Sequence, residues 1–576
     1  MKILKYNILA LIALLGICNS CELLEPENEN IYDMEDIKSV MTFTEGFLMN
    51  AYRNLPTEHR NFSLSYASDD AVNNDPSSSI KTVISGGWTS SSNPFSEWNR
   101  NYESIFYINT FLENMDEIEW YWQNETTDSL FAVKLKGEAY ALRAWNYFHL
   151  LQAHAGKGAN GEMLGVPIVD RVLDATNSSD YQVPRSSFPD LVEFIITDCD
   201  RAINLLPTRW RDVDDEVIDQ AMGARNANRI NDIVARFIKA KTLLYAASPA
   251  FSDGTYSYQV AAEAAANVMV VNYGLQTVNA SSNSLLDFYN NPLVASYQKQ
   301  HREVLWYSSR EAEGQRWEEE NYPPSLYGRG LTNPTQDLVN AFPMADGSPT
   351  PLSKINSSDP YSGRDPRLEK YIFFDGSQFD QGDETVTINT RAGSQDAVGS
   401  TNNYATKTGY YLRKFMNTDN VDLDPTVNSP GMHYYTYVRY SDVLLMFAEA
   451  ANEAVGPDGS IGGFSAREVM NALRERVGIT STAYVNGLDQ AGMRELIRNE
   501  RRIELCFEEQ RFWDLRRWNL VDQMNQPVTG VQVSADGTTF TYFDVESRVF
   551  PEYMIYGPIP YDETLRYDIV QNEGWK

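Results

Sequence analysis

Apolar residues recur at spacings of three and four along most of the chain between Met34 and about Tyr273. In GEAYALRAWNYFHLLQAH, Ala141, Trp145 and Phe148 share one helical face, and Tyr140, Ala144, Tyr147 and Leu151 share another. A helix apolar on two faces belongs among other helices. The periodicity returns in FPDLVEFIITDCDRAINLLP, where Pro189 suits a first turn and Pro207 lies just past the end. It returns again in IVARFIKAKTLLYAASP and, far downstream, in RYSDVLLMFAEAANEA. Alanines stand where helices would cross closely. The pattern predicts a mostly α fold built as a tetratricopeptide-like helical-pair scaffold, although no strict repeat of that kind is visible.

Between about Gly274 and Met432 the periodicity gives way to loops rich in Asn, Ser, Gly, Pro and Tyr. Short strand-like runs, EVLWYS, KYIFF and ETVTINT, interrupt them. Connections this long are more often binding loops than idle linkers. Helical character resumes at Tyr440. The chain therefore divides into a leader (1–20), an acidic tether (21–33), an N-terminal helical region (34–273), and a C-terminal region with loops and closing helices (274–576).

The leader carries Lys2 and Lys5 before the unbroken apolar run Ile8 to Ile17, the pattern of an export signal and too short to span a bilayer. It meets Cys18-Asn19-Ser20-Cys21, in which only Cys21 follows a small residue. The segment resembles the lipobox of a bacterial lipoprotein, which makes Cys21 the expected lipidation site. Beyond it only Cys199 and Cys506 remain, each within a predicted helix, and they make no disulfide framework.

At 576 residues and a formal charge of -31 the chain is acidic, and losing Lys2 and Lys5 with the leader makes it more so. No basic stripe offsets this, so nucleic acid is not an expected partner. Aromatic residues reach 12%, with 34 Tyr and 11 Trp, enough that some are expected to face a ligand.

Catalytic signatures are sparse. The five histidines form no HExxH pair, and neither a GxSxG elbow nor a phosphate loop is present. GKGANG fits GxGxxG by letter, but it follows a helix and precedes the extended VPIV, the reverse of a dinucleotide fold. Asp419, Asp422 and Asp424, or Asp212, Asp214 and Asp215, could offer oxygens to calcium, yet both runs lack the glycine and terminal glutamate of an EF-hand loop. They read as solvated acidic loops, and calcium stays open. The densest motif, NERRIELCFEEQRFWDLRRW, sets Glu500, Glu504 and Glu508 in a row and predicts the pairs Glu508–Arg511 and Asp514–Arg517. A buried helix whose charges pair with its neighbours accounts for it better than an active site.

Several blocks together resemble the SusD/RagB family of outer-membrane nutrient-binding lipoproteins of Bacteroidetes. WNRNYESIFYINTFLENM, GEAYALRAWNYFHLLQAH with GVPIV, RDPRL, VRYSDVLLMFAEAANEA, ERRIELCFEEQRFWDLRRW, PIP and the terminal QNEGW stand in the family's order. AGKGANGEML departs from the pattern as an insertion, and the loops from Leu275 to Tyr327 align with nothing. The resemblance implies four tetratricopeptide-like helix pairs, a loop-rich ligand site, no catalysis and no cofactor. It also implies attachment to the outer membrane, facing outward, as a lid over a SusC-like TonB-dependent transporter that imports oligosaccharides. A peptide-binding RagB-like receptor is the rival within the same architecture, and a surface glycoside hydrolase is the rival outside it.

Sugar rings stack their C–H faces on aromatic planes while Asn, Asp or Arg engage the hydroxyls. Trp88 in SGGWTSSSN, and Trp317, Tyr322 and Tyr327 in GQRWEEENYPPSLYG, are the expected ligand-binding aromatics. Asp69 and Asn73 are the expected polar partners. Trp306, inside a strand-like run, is expected in the core.

Overall fold

The computed structural model describes residues 40–56, 63–276, 278, 303–308, 316–381, 384–418, 421–427, 429 and 433–576. Cys21, the leader and the tether lie outside the described residues, as does Asp419.

Ten helices carry the scaffold: α1 (Met41–Arg53), α2 (Trp98–Asn114), α3 (Glu125–His154), α4 (Phe188–Leu205), α5 (Asp232–Ala247), α6 (Tyr258–Val271), α7 (Tyr440–Val455), α8 (Ala466–Arg476), α9 (Gln490–Glu504) and α10 (Arg511–Arg517). Most begin where a side chain can satisfy the free N–H groups of a first turn. Asn124 accepts from Thr126 and Thr127, Ser187 from Asp190, Asn231 from Val234 and Asp489 from Gly492. Ser465 and Glu468 close a reciprocal capping box on α8. Pro189 sits in the first turn of α4, as its sequence suggests.

From α2 to α6 the helices pack mainly on their neighbours in sequence, and α6 then packs on α7. The intervening residues 272–439 leave the array and return to it: Tyr440 at the start of α7 donates its hydroxyl to the Gly274 carbonyl just beyond α6. Both α8 and α9 close on α7. The stacking is that of tetratricopeptide-like helix pairs. Both apolar faces of α3 are covered, with Ala141, Ala144, Tyr147, Phe148 and Leu151 at most 3% exposed.

Strands are short and scattered. β1 (Ala71–Asn73), β2 (Val304–Tyr307), β3 (Thr332–Pro334) and β4 (Thr436–Arg439) form two antiparallel pairs, β1 with β3 and β2 with β4. Trp306 on β2 is in the core, as expected, and its Nε1 donates to the Asn228 carbonyl at 2.9 Å. The expected strand in ETVTINT forms over Glu384–Thr387.

The charged motif is buried, but not as one continuous helix. Its first helix, α9, ends at Glu504, and Phe507 and Glu509 then take left-handed backbone angles, φ 62° each. This turn breaks the row of three glutamates. Glu508 meets Arg439 and Lys414, both at 2.6 Å, rather than Arg511. Asp514–Arg517 forms as predicted, at 2.8 Å. Glu504 accepts from Arg367, Arg439 and Arg476 at 2.8, 2.8 and 2.6 Å. Burial alone would raise the Glu504 carboxyl; the guanidiniums of Arg476, Arg439 and Arg367 outweigh it and hold the group well below the carboxylate range. Cys199 and Cys506 are buried thiols, not a disulfide.

Candidate functional site

Pairing of β1 with β3 sets the ASDDAVNND run against the loop that follows Trp317. Asn73 stands opposite Thr332, and Ala71 opposite Pro334. Two asparagines then tie a third segment to this pair. The Asn74 side chain donates to the carbonyls of Gly330 and Ala405, at 3.2 and 3.1 Å. Asn333 donates to the Gly330 carbonyl at 3.0 Å and accepts from the Lys407 N–H at 2.8 Å. Residues 71–78, 322–334 and 402–407 therefore meet at one face.

The loop in the middle is tightly wound. Backbone bonds run from Arg329 to Glu319, from Gly330 to Tyr322 and from Leu331 to Glu320, at 2.9, 2.9 and 2.7 Å. A Cβ on Gly328 would lie 2.2 Å from the Tyr322 carbonyl oxygen. Gly330 has φ 48°, and a Cβ there would lie 2.4 Å from the Tyr404 carbonyl oxygen. Only glycine fits this crossing.

Two tyrosines stand out from the face. Tyr327 is 57% exposed and donates to Asp424 at 3.2 Å, and Tyr404 is 46% exposed. The exposed Arg329 places its guanidinium 5.6 Å from the Tyr404 ring centre. Asp75 lies close by: bonds from Ser77 lower its carboxyl first, and the charge of Arg329 adds to the effect. The face thus combines flat apolar rings with fixed hydrogen-bonding groups.

The structure corrects the expected platform. Of the four aromatic side chains, only Tyr327 is exposed. Trp88 is 2% exposed, wedged against Phe95 and Trp575 at ring separations of 5.3 and 4.9 Å. Trp317 is 1% exposed and stacks on His433 at 4.1 Å. Tyr322 is fully buried. Removing a large ring from water yields about 1.5–3 kcal/mol, and these loops fold inward to gain it. None of the three offers a plane to a sugar.

Asp69 and Asn73 also hold structure rather than face outward. Asp69 accepts from Arg511 at 2.8 and 2.9 Å and from Gln523 at 2.9 Å, with Arg502 at 3.2 Å. Burial opposes its ionisation, but Arg502 and Arg511 prevail and hold the carboxyl well below its ordinary value. Asn73 accepts from the Asp75 N–H at 2.7 Å and donates to Ser78 at 3.3 Å, shaping the turn after β1.

Tyr404, Arg329 and Asn74 are the residues that sequence reading passed over. Tyr404 stands in NNYATKTG, the same aromatic-in-polar-loop signal that selected Tyr327. Nothing in the run NND separates Asn73, which shapes its own turn, from Asn74, which binds neighbouring loops.

The acidic runs serve turns and caps. Asp422 accepts from the Asp424 N–H, Asp424 from Thr426, and Asp215 from Val217 and Ile218 at the start of a short helix. Among the described residues no group of three or more His, Cys, Asp or Glu side chains gathers as metal ligands. Nor is any helix there long and apolar enough to cross a membrane.

Concavities among the described residues lie elsewhere, in the scaffold, and two of them hold chemistry of interest. A groove of about 380 Å³ lies between α2 and the 563–567 segment, with Tyr102, Phe106, Tyr181 and Tyr567 along it. A more enclosed polar cavity of about 100 Å³ holds Glu97, Arg100, His149, Lys241 and Glu509 among its walls. There burial, then the charge of Glu97, push the Glu509 carboxyl up to about 7. Burial lowers His149 to about 3.

Comparison with known proteins bears on the fold and the family. A family model described as the SusD family matches residues 291–575, and one described as starch-binding associating with outer membrane matches residues 23–221. SusD-like protein P38 of Formosa agariphila is 25% identical over 554 residues, 92% of this chain and 94% of that protein. Among solved structures, a SusD-like protein of Bacteroides fragilis superposes with a TM-score of 0.75 at 24% identity, covering 96% of this chain and all of the other. A SusD-like carbohydrate binding protein of the same species gives 0.68 at 21% identity, over 92% and 99% of the two chains. The surface glycan-binding protein A of Bacteroides fluxus gives 0.57 at 16%, over 93% and 100%. The two family matches together include all three loops that build the tyrosine face, and with the full-length relative and the shared helical array they show that this chain belongs to the SusD family.

Proposed function

We propose that the protein is a cell-surface glycan-binding lipoprotein that captures oligosaccharides and passes them to a SusC-like TonB-dependent transporter. The observation that carries the binding role is the face of Tyr327, Arg329 and Tyr404, two exposed rings and a cation lying over one of them, where a glycine-locked loop meets the 402–407 segment. Tyrosine planes accept the C–H faces of sugar rings, while Arg329 and the neighbouring Asp75 offer charged groups to hydroxyls. Holding the rings on a rigid loop lowers the ordering cost of binding, and a shallow face suits capture and release. The carbohydrate-binding and outer-membrane descriptions of the relatives support the reading. Binding without catalysis is part of the proposal, as is acylation of Cys21, which would anchor the chain without a membrane helix.

Affinity electrophoresis of the purified protein against a panel of polysaccharides tests it. Retardation by at least one glycan, relieved in Tyr327→Ala and Tyr404→Ala, is the expected result. New reducing ends would replace the reading by a hydrolase, and binding of peptides with no glycan retained would replace it by a peptide receptor. Co-purification with a transporter from the native membrane tests delivery, and loss of that association would remove this half of the proposal.

A further inference from the structure

All eleven tryptophans of the chain fall within the described residues, and ten of them are at most 9% exposed. The exception is Trp122, at 77%. It stands in the turn between α2 and α3, where the Tyr121 N–H donates to Asp128 and the Tyr121 ring stacks on Phe131. Its neighbour Trp120 is buried, so the turn is anchored while Trp122 projects from it.

The end of the array that carries Trp122 is also the end at which the described chain begins, at Val40. α1 runs antiparallel to α2: Asn54 donates to Ser104 at 3.1 Å, and the Phe47 and Tyr107 rings lie 6.4 Å apart. The start of α1 is thereby set beside the C-terminal end of α2. Met41 and Phe43 are exposed there, at 43% and 37%. On the other side, Thr127 in the first turn of α3 donates to the Val217 carbonyl at 3.3 Å, which brings exposed Val213 and Ile218 to the same end. Cys21 and Val40 stand nineteen positions apart in the sequence, a reach of at most about 65 Å.

We infer that this apolar end, centred on Trp122, is a membrane-contact surface that rests in the lipid interface beside the anchor. The inference relies on the proposed lipid tether at Cys21. Tryptophan favours the headgroup boundary, where its ring is buried and its N–H stays wet. A few apolar side chains give weak binding alone; held close by an anchor, they act at high effective concentration. The flanking acids, Asp116, Glu117 and Glu119 on one side and Asp212, Asp214 and Asp215 on the other, exclude attraction to anionic headgroups as the driving force. Contact comes from apolar insertion and fixes which way the array faces.

The experiment uses the chain from Cys21 onward, which retains every described contact. Its Cys21 thiol is coupled to maleimide-headgroup lipid in phosphatidylcholine vesicles, Cys199 and Cys506 being buried. In vesicles whose acyl chains are brominated near the headgroup, emission should fall by the contribution of one tryptophan, and Trp122→Phe should abolish that fall. Anionic lipid at low salt should weaken the quenching. Equal emission from brominated and plain vesicles would overturn the inference. So would Trp122 that stays open to aqueous acrylamide after coupling and becomes shielded only when a transporter is added. Fatty-acid labelling of the wild type and Cys21→Ala in cells tests the anchor separately: absence of label would refute acylation and leave the vesicle result standing.

Discussion

The α9–α10 segment and the Tyr327–Tyr404 face draw on the same residue types and use them in opposite ways. In the first, arginines, acids and aromatic rings are mostly enclosed, and most buried charges are opposed by others: Glu504 alone meets three guanidiniums, while Arg516 lies over the Phe512 and Trp513 rings. In the second, Arg329 and two tyrosines stand in solvent on a loop whose own backbone bonds do the holding. Residue type therefore does not separate architecture from binding here; burial does. The enclosed network fixes how α7, α8 and α9 meet, and the open face leaves its hydrogen-bonding capacity for something outside the chain.

Single substitutions can break this contrast at either side. The largest effect is expected for Glu504→Ala, which leaves Arg367, Arg439 and Arg476 without their shared acceptor in the interior. Breaking a buried pair costs about 3–5 kcal/mol, so the urea midpoint should drop sharply. Trp317→Ala should cost a comparable amount, roughly 3 kcal/mol or more, through the cavity left beside His433. In titrations under conditions where the variant remains folded, its glycan affinity should be near that of the wild type. Unchanged stability with lost binding would restore Trp317 to the binding face.

Gly330→Ala sits between the two classes. Strain at its left-handed backbone, about 1–2 kcal/mol, should lower the melting temperature, and displacement of Tyr404 should weaken binding at the same time. Tyr327→Ala and Tyr404→Ala should each lower affinity by about three- to tenfold, the worth of one stacking ring, with the melting temperature held within about 2 °C. A large loss of stability in either would move that ring to the architectural side.

The smallest effect concerns pH. A Glu509 carboxyl raised to about 7 binds its proton more tightly folded than unfolded. Its contribution to stability is therefore present below the unfolded value, near 4.3, and is lost as pH rises towards 7. Glu509→Gln should be more stable than the wild type at pH 7.5, with the advantage gone by pH 4, as read by thermal melts across that range.

The contrast also explains how far sequence reading reached. Helices α3, α4, α5 and α7 were legible because a two-faced apolar period and capping or proline residues point to the same answer. The burial of the charged motif was legible from its alternation of charges with Ile503, Phe507 and Trp513. Its break after Glu504 was not, since left-handed residues at Phe507 and Glu509 have no local signature and are held by contacts with Arg439 and Lys414 far away in sequence. The ligand face was legible only as a region. Trp317 and Tyr327 stand in the same loop with similar polar neighbours; Trp317 finds His433 across the fold, while Tyr327 is turned outward by its positive φ. Such a choice is made by tertiary contacts and cannot be seen in ten residues of sequence.

The placement of residues 272–439 between two helices that touch one another has a further consequence. Because the excursion leaves and re-enters at neighbouring points, lengthening an exposed loop within it adds mainly the entropy of closing that loop, and doubling a loop's length costs only about 0.6 kcal/mol. Insertions at the exposed tips of the tyrosine-bearing loops can thus be absorbed while α6 still finds α7. The array acts as a socket into which recognition surfaces of different size can be fitted, and specificity can diverge without the scaffold being rebuilt.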